Sequence, residues 1–533
     1  MNQIEIKRKQ IICYIYVIGV LGLIGMGNLL GDNGLCYLAV ALESLSMFIL
    51  LISAGTADVI ARLQKNRRNK GQYKGVARMR KQLIVVQGVT GILLTVICLL
   101  LSDILAEKIF GVPNSAAALK LLAPVIAVQA LQVVLLGYFQ GSGSQMPAVI
   151  SVVLRQGFFL VFGSLFGKIL ATYGNKVSGL LKNSSFSGMY SAIGIALGIL
   201  ITELLVLLFL FIIYMGSDRK SDLQKSQEGL RQTDSLGDTV RLFFGAGWQV
   251  TLLSLLAVMP IVLGTVFYLN NAMHTDGGNA AIINAYGGFF GKCLLPIAAC
   301  VLILTARSLS VYGRLCVAIH RQDKRYSRDM ASVGLHFVWI AGLYMTITMA
   351  VMAPQIATVF FAGRDEGVEQ LLRMGSAMIL LLGLTVLLSM ILLAYREHIY
   401  LMGALGIWLI LDILLQNVFG NSVNSILYGA LISTAVLVIG LLIYQIWRNR
   451  LNGEFIRILG IPLIASGIMG LVMILVTKLF SAHMSHISCF IVAAILGLIV
   501  YSAILIVTKN IREYEVGALY GKLARKLLGR IIS

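Results

Sequence analysis

The stretch Leu121–Phe139, LLAPVIAVQALQVVLLGYF, decides the fold, because it is an apolar run of helix length. A short turn, QGSGSQ at residues 140–145, follows it, and a second apolar run starts at Pro147. Glycines let a chain reverse direction, and proline suits the first turn of a helix, where its missing N–H is not needed. The pattern predicts a tight hairpin of two membrane-spanning helices.

Polar side chains interrupt both helices of this hairpin. At about 100° per residue, Gln129, Gln132 and Gln140 fall on one side of the first helix. Ser151 and Arg155 share a face of the second helix by the same rule. The hairpin therefore carries polar groups at membrane depth.

Arg155 is the most costly of these groups, because an arginine inside an apolar span needs a partner or a wet cavity. Two acids at comparable depth, Glu43 and Glu203, are the available counter-charges. Arg155 is therefore either a cation that faces a cavity or half of a structural ion pair, and the sequence leaves both readings open.

The composition is that of a membrane protein. Of 533 residues, 58% are hydrophobic and 12% are charged, and the mean hydropathy is +0.88. A soluble chain carries about 25% charged residues. The seven cysteines contain no CxxC pair and lie mostly in apolar runs, so neither a disulfide framework nor a metal site is predicted. Since no P-loop, HExxH or Ser/His/Asp set is evident, we expect no enzyme activity and no cofactor.

A membrane span needs about 20 mostly apolar residues. The apolar runs predict an all-α polytopic protein with about 14 spans, near 11–30, 37–57, 82–102, 118–139, 147–170, 188–214, 242–269, 282–306, 331–352, 370–394, 398–418, 425–446, 457–478 and 487–508.

Charge placement predicts the orientation of these spans. Lys and Arg cluster in segments such as Lys65–Lys81, whereas Gly31–Gly34 and Asn270–Ala281 contain none. Because basic residues favour the cytoplasmic side, both termini are predicted to be cytoplasmic. The net charge of +20 is therefore assigned to the inner membrane surface, and no nucleic-acid partner is expected.

The predicted organisation is two six-helix lobes around a central cavity, plus two extra helices. Its parts are an N-terminal lobe (1–216), a cytoplasmic linker (217–238), a C-terminal lobe (239–447), two additional transmembrane helices (448–509) and a basic tail (510–533). The tail has an amphipathic spacing that fits the anionic inner leaflet, although a solvated charged tail is an equal alternative.

Three stretches resemble the multidrug/oligosaccharidyl-lipid/polysaccharide flippase superfamily, specifically its polysaccharide-transporter branch, which includes stage V sporulation protein B-like proteins. They are LGDNGLCY at 30–37, SAGTADVIARL at 53–63 and GYFQG at 137–141. The motif residues at and after the third stretch are Gly137, Gln140, Gly141, Pro147, Ser151 and Gln156. The second half resembles the family in layout more than in residues.

The resemblance implies a flippase that moves an isoprenoid-pyrophosphate-linked saccharide by alternating access, for cell-surface polysaccharide or peptidoglycan synthesis. It implies residence in the cell membrane. The implied partners are membrane lipids, the lipid-linked saccharide, and a glycosyltransferase or polymerase of the pathway. Two departures stand out, because Arg155 occupies a place where the family often carries an acid, and the turn after Leu393 has lost its glycines. A cation-coupled multidrug exporter and a non-transporting scaffold of a glycan-synthesis complex are therefore the alternatives.

Polar and charged residues inside the spans are the candidate substrate site. They are Arg155, Lys292, Glu43, Glu203, Gln129, Gln132 and Asn284. An anionic pyrophosphate needs fixed cations, and Arg155 and Lys292 supply one from each half. The glycines and proline between Asn284 and Pro296 predict a discontinuous helix.

Overall fold

The computed structural model describes residues 3–225, 235–273, 279–361, 366–419, 422–451, 453–454, 456–480, 485–512 and 515, and none of these lies in a strand. The α-helices are α1 Gln3–Ser53, α2 Thr56–Asn69, α3 Tyr73–Asp103, α4 Ala116–Leu122, α5 Pro124–Gly141, α6 Met146–Phe158, α7 Ser164–Leu181, α8 Ser185–Lys225, α9 Leu236–Met273, α10 Asn279–Phe289, α11 Leu295–His320, α12 Lys324–Val351, α13 Ala353–Phe360, α14 Glu366–Gly375, α15 Ala377–Ala394, α16 His398–Phe419, α17 Val423–Trp447, α18 Ile461–Phe480 and α19 His486–Val507. Short helical turns join several of them, at Ile104–Ile109, Pro113–Ser115, Phe159–Gly163, Phe290–Leu294 and Ile456–Gly460.

Within the described part of the chain, 13 helical stretches have the length and hydropathy of membrane spans. The first stretch, Glu5–Asn69, is 65 residues long, which is room for two of the predicted spans. Gly31, with φ 65° and ψ 171°, breaks the helical geometry inside it. The predicted all-α polytopic fold with about 14 spans is thereby confirmed.

The predicted hairpin is present. Helix α5 ends at Gly141, α6 begins at Met146, and Pro147 lies in the first turn of α6. Gly143 adopts φ +90° in the turn, a conformation that other residues rarely take. The sequence of the turn therefore sets its backbone.

Two glycines of the GYFQG stretch allow α5 to approach α2 closely. A Cβ at Gly137 would lie 2.8 Å from Ile60 Cβ and 3.0 Å from the Ala57 carbonyl oxygen. A Cβ at Gly141 would lie 2.8 Å from Gln64 Cδ. The stretch is thus a helix-packing motif in this chain, as small residues in membrane helices commonly are.

Helices α7 and α8 also meet through glycines. A Cβ at Gly194 would lie 2.5 Å from the Phe166 carbonyl oxygen, and one at Gly198 would lie 2.6 Å from Gly163 Cα. The Gly194-x-x-x-Gly198 spacing places both glycines on one face of α8. Backbone thus packs directly on backbone here.

Contacts divide the chain into two compact units, Leu29–Gly287 and the combination of Met1–Asn28 with Gly288–Ser533. The N-terminal helix is tied into the second unit by Gln10, whose Nε2 donates to the Ala306 carbonyl at 2.8 Å and to Ser310 Oγ at 2.6 Å. The first unit retains α9. The six-span lobes inferred from chain order, 1–216 and 239–447, stay a prediction.

The helix predicted to be discontinuous between Asn284 and Pro296 is continuous, and that prediction was wrong. Helix α10 passes through a π-helical turn, Phe290–Leu294, directly into α11. Pro296 falls in the first turn of α11, and the wide π-helical turn before it accommodates the proline without ending the helix. The glycines and the proline widen the helix locally and leave it unbroken.

The turn between α15 and α16 has no glycine, and Arg396 occupies it with φ 61°. Neighbouring charges hold this turn in place. Arg450 Nη1 donates to Glu397 Oε2 at 2.9 Å and Arg450 Nη2 donates to Glu397 Oε1 at 2.6 Å. The same guanidinium lies 3.8 Å from the centre of the Tyr395 ring. A non-glycine residue is strained at a positive φ, whereas a glycine is not. The bidentate ion pair and the cation–π contact stabilise the turn and so offset the strain at Arg396.

This ion pair predicts a specific pH dependence of stability. The hydrogen bond from Arg450 lowers the pKa of Glu397, which lies outside the spans. A group with a lowered folded pKa stabilises the protein above its unfolded pKa, about 4.3, and stops doing so as the pH falls through the folded value. We expect Glu397→Gln to lower the stability by about 1 kcal/mol at pH 7, and the difference from wild type to vanish below the folded pKa. Thermal melting of both proteins as the pH is lowered from 7 measures this, and a difference that does not shrink as the pH falls would contradict it.

The last two spans pack within the second unit. Met469 and Met473 of α18 and Ala493 of α19 form one core with Met352, which follows α12. The basic tail predicted for 510–533 lies outside the described residues except at 510–512 and 515. There Glu515 bonds Arg457 at 2.9 Å and lies 3.1 Å from His336 Nδ1.

Candidate functional site

Arg155 is held by two side chains of the first unit. Its Nε lies 2.8 Å from Glu203 Oε1, and its Nη2 donates to Glu203 Oε2 at 3.2 Å and to Gln132 Oε1 at 2.6 Å. Gln132 Nε2 in turn donates to Glu203 Oε2 at 2.9 Å. The triad joins α5, α6 and α8. Of the two predicted counter-charges, Glu203 is the one that Arg155 meets.

The triad is largely shielded from solvent. The side chains of Arg155 and Glu203 are 18% and 5% exposed, and Gln132 is buried. Charges at such depth are stable only when they are paired and hydrogen-bonded, and Arg155 and Glu203 meet both conditions here. The geometry is that of a structural ion pair with a small exposed edge on Arg155. A role for this edge in substrate binding stays a prediction.

Glu43 belongs to a different cluster of the same unit. Its Oε1 accepts a hydrogen bond from the Tyr286 hydroxyl at 2.7 Å, and the Tyr286 and Thr265 hydroxyl oxygens are 2.6 Å apart. All three side chains are buried. The second carboxyl oxygen, Oε2, has no hydrogen-bond partner.

Gln129 lines a cavity of the first unit with a volume of about 340 Å³. The other lining residues are Leu42, Leu45, Ser46, Ile49, Leu50, Val125, Ile199 and Val258. Only Gln129 and Ser46 bring polar side chains to it. The cavity therefore fits an apolar group better than a phosphate.

The remaining predicted site residues are placed as follows. Asn284 is exposed on α10, and Lys292 is half-buried in the π-helical turn before α11. Lys292 lies in the second unit and Arg155 in the first. Their joint use by one substrate stays a prediction.

The motif residues on the hairpin serve its packing. Pro147, Ser151 and Gln156 are buried and Gln140 is half-buried. The Ser151 hydroxyl donates to the Ala148 carbonyl at 2.8 Å. This bond lies within α6, the helix that carries Arg155.

Two polar clusters escaped the sequence reasoning. Arg80 is buried between aromatic rings, 4.7 Å from the centre of Tyr138 and 4.8 Å from that of Tyr214. Since these residues are far apart in sequence, no local signal could have joined them.

The second missed cluster centres on Asp412 of α16. Its carboxylate accepts from Gln416 Nε2 at 2.6 Å and from Ser433 Oγ at 2.7 Å. An acid and an amide four residues apart inside an apolar run share a helix face, which is a signal that could have been used.

Comparisons with known proteins agree with this architecture, although no protein-family model matches the chain. Over 217 residues it is 23% identical to stage V sporulation protein B of Bacillus subtilis (strain 168). That match covers 40% of this chain and 39% of the length of that protein.

Two solved structures are similar along most of their length. One is an inward-facing multidrug resistance MATE family transporter of the MOP superfamily, with a TM-score of 0.62, 13% identity, and coverage of 82% of this chain and 94% of that one. The other is the lipid II flippase MurJ in an inward closed conformation, with a TM-score of 0.64, 12% identity, and coverage of 93% and 97%.

The fold is therefore that of a multi-pass membrane protein, similar to the MATE transporter and MurJ structures. The partial sequence match and the fold agree with the resemblance to the multidrug/oligosaccharidyl-lipid/polysaccharide flippase superfamily. The resemblance read from the three sequence stretches is confirmed at this level.

Proposed function

We propose that the chain is a flippase that moves an isoprenoid-pyrophosphate-linked saccharide across the cell membrane by alternating access. The translocated saccharide would be used in cell-surface polysaccharide or peptidoglycan synthesis. A glycosyltransferase or polymerase of the same pathway would act on it. The chain itself supplies no catalytic step in this proposal.

The extent of the structural similarity carries the proposal. The lipid II flippase matches 93% of this chain, whereas the MATE transporter matches 82%. The two spans α18 and α19, Ile461–Phe480 and His486–Val507, follow the twelve that a two-lobed exporter needs. A fourteen-span plan thus favours a flippase, and the sequence match to a sporulation protein points the same way.

A multidrug exporter is the second candidate, because the MATE structure has nearly the same TM-score as the flippase. The apolar cavity that Gln129 lines would suit an apolar drug as well as a lipid tail. A functional assay must therefore include both kinds of substrate.

Reconstitution into proteoliposomes tests the proposal. An undecaprenyl-pyrophosphate saccharide is placed in both leaflets, and an impermeant glycosidase digests the part that reaches the outer leaflet. We expect full digestion with the protein and about half digestion without it, because protein-free bilayers expose only one leaflet. Efflux of a cationic dye without saccharide flipping would favour the exporter, and neither activity would favour the scaffold.

Both termini are proposed to lie in the cytoplasm. This topology predicts how cysteines that replace two exposed serines react with an impermeant thiol reagent. Ser144 lies in the α5–α6 turn and Ser184 in the α7–α8 turn, so one span separates the two positions. In intact cells we expect Ser184→Cys to be labelled and Ser144→Cys to be labelled only after the membrane is opened. Wild type controls for the seven native cysteines, and the reverse pattern would invert the topology.

A further inference from the structure

Aromatic rings gather where α16 begins and α17 ends, in the second unit. The rings of Tyr400 and Tyr444 stack with their centres 3.7 Å apart and their planes at 17°, and the centre of the Trp447 ring is 6.0 Å from that of Tyr444. Trp447 is 72% exposed, and Ile443, one helical turn before it, is also exposed. Since α17 has the length and hydropathy of a membrane span, these exposed apolar side chains near its end face lipid. Tryptophan and tyrosine at the end of a span mark the level of the lipid headgroups.

The next residue, Arg448, brings a positive charge to this level. Its guanidinium carbon is 5.3 Å from the centre of the Trp447 ring and 5.6 Å from that of Tyr444, and its Nε donates to the Tyr444 hydroxyl at 3.2 Å. Cation–π contacts of this kind hold a guanidinium in place without neutralising its charge. The Arg448 side chain is 47% exposed. The rings therefore orient a cation that an acceptor outside the protein can reach.

The acid beside Arg448 is already engaged by another arginine. Both carboxyl oxygens of Glu397 accept hydrogen bonds from Arg450, at 2.6 and 2.9 Å. Arg448 Nη2 lies 3.5 Å from Glu397 Oε1, which is longer than the roughly 2.7–2.9 Å of a charge-assisted hydrogen bond. An exposed ion pair at such a distance is worth little. Glu397 therefore compensates Arg450 well and Arg448 weakly.

We name residues 395–400 and 444–450 the aromatic–arginine cluster. It contains three arginines, Arg396, Arg448 and Arg450, and one acid, Glu397, so its formal charge is +2. Arg396 is exposed like Arg448. An excess of positive charge beside aromatic rings at the headgroup level is complementary to an anion that is itself held in the membrane.

We propose that the aromatic–arginine cluster binds the headgroup phosphate of an anionic phospholipid, with Arg448 as its main hydrogen-bond donor. A soluble anion would use only the charge. A phospholipid would also cover Trp447 and Ile443, which are exposed on the lipid side of the same helix end. In the proposed topology this end of α17 is cytoplasmic, where anionic lipids are concentrated. The inference goes beyond the proposed function and does not depend on the transported substrate.

Quenching of Trp447 fluorescence by brominated lipids tests the proposal on the full chain in liposomes. The bilayer contains equal amounts of phosphatidylglycerol and phosphatidylcholine in both leaflets, and the acyl chains of one lipid or the other carry bromine. Subtracting the signal of Trp447→Phe removes the contribution of the other three tryptophans. We expect phosphatidylglycerol to be enriched about fivefold at Trp447, the effect of one basic residue near a charged surface.

The variant Arg448→Gln should reduce this enrichment to about one, measured against the same protein carrying Trp447→Phe. Arg512→Gln is the matched control, because Arg512 is 46% exposed, lies in the same unit and pairs with Glu454 at 3.0 Å. It removes one positive charge elsewhere and should leave the enrichment unchanged. Gel filtration checks that both variants are folded, as expected for substitutions of side chains that are about half exposed.

Equal quenching by the two brominated lipids in the wild-type protein would overturn the proposal. Enrichment that survives Arg448→Gln, or that falls equally in Arg512→Gln, would also overturn it, because the net charge of the protein would then attract the lipid. Inorganic phosphate added at constant ionic strength separates the two sources of phosphate. Loss of the enrichment on this addition would overturn the lipid in favour of a soluble phosphate.

Discussion

Replacing Arg155 with glutamine should lower the stability of the protein by about 3–5 kcal/mol, the cost of leaving one member of a buried ion pair without its partner. Glu203 would keep only the hydrogen bond from Gln132. Its charge would then lie 5% exposed with no cation from the triad. We expect lower expression and a lower melting temperature, measured by fluorescence-detected gel filtration after heating.

The double variant Arg155→Gln with Glu203→Gln is the control that separates charge from packing. It removes both charges and keeps side chains of similar size, so it should recover most of the lost stability. The stability changes caused by substituting the two members of an ion pair are not additive. The double-variant cycle measures that coupling energy directly. A folded, abundant Arg155→Gln protein that no longer transports would contradict the structural ion pair and support a substrate-binding role.

Substituting leucine for Gly198 should be comparably disruptive, for a purely steric reason. A Cβ at this position would lie 2.6 Å from Gly163 Cα and 2.7 Å from Gly163 N, so the obstacle is backbone and cannot rotate away. Helix α8 would have to move from the Phe159–Gly163 turn and α7. We expect a loss of about 3 kcal/mol or more, the upper part of the range for overpacking.

Gly157 supplies the matched control, because it lies on the neighbouring helix α6 and a Cβ there would meet nothing within 4 Å. Gly157→Leu should leave the stability unchanged or raise it slightly, since leucine has a higher helix propensity than glycine. Thermal melting of both variants against wild type decides the question. Equal losses in the two variants would show that the α7–α8 contact is not specific to Gly198.

The sequence by itself determined the membrane class, the helical content and the hairpin at 140–145. These follow from local rules, because a bilayer admits only helices or closed barrels and long apolar runs have the length of helical spans. The Gly194-x-x-x-Gly198 spacing follows a local rule as well, since two glycines four residues apart share a helix face, although the helix that packs on them is given only by the structure. The sequence also identified Arg155 as a residue that needs a partner, because a charge inside an apolar span is costly.

Only the tertiary structure decided which acid Arg155 meets. Glu43 and Glu203 are both glutamates, and both are predicted to lie at a comparable depth within a membrane span. The sequence around each one does not show which of them Arg155 contacts. The choice depends on how α6 packs on α5 and α8, which brings Glu203 to 2.8 Å and leaves Glu43 with Tyr286, 243 residues away in sequence. The cost of placing a charge in an apolar span predicts that Arg155 has a partner, but it does not say which residue that partner is. The partner is determined by how helices distant in sequence pack together. That packing depends on the rotation and crossing angle of each helix, which no single apolar run encodes.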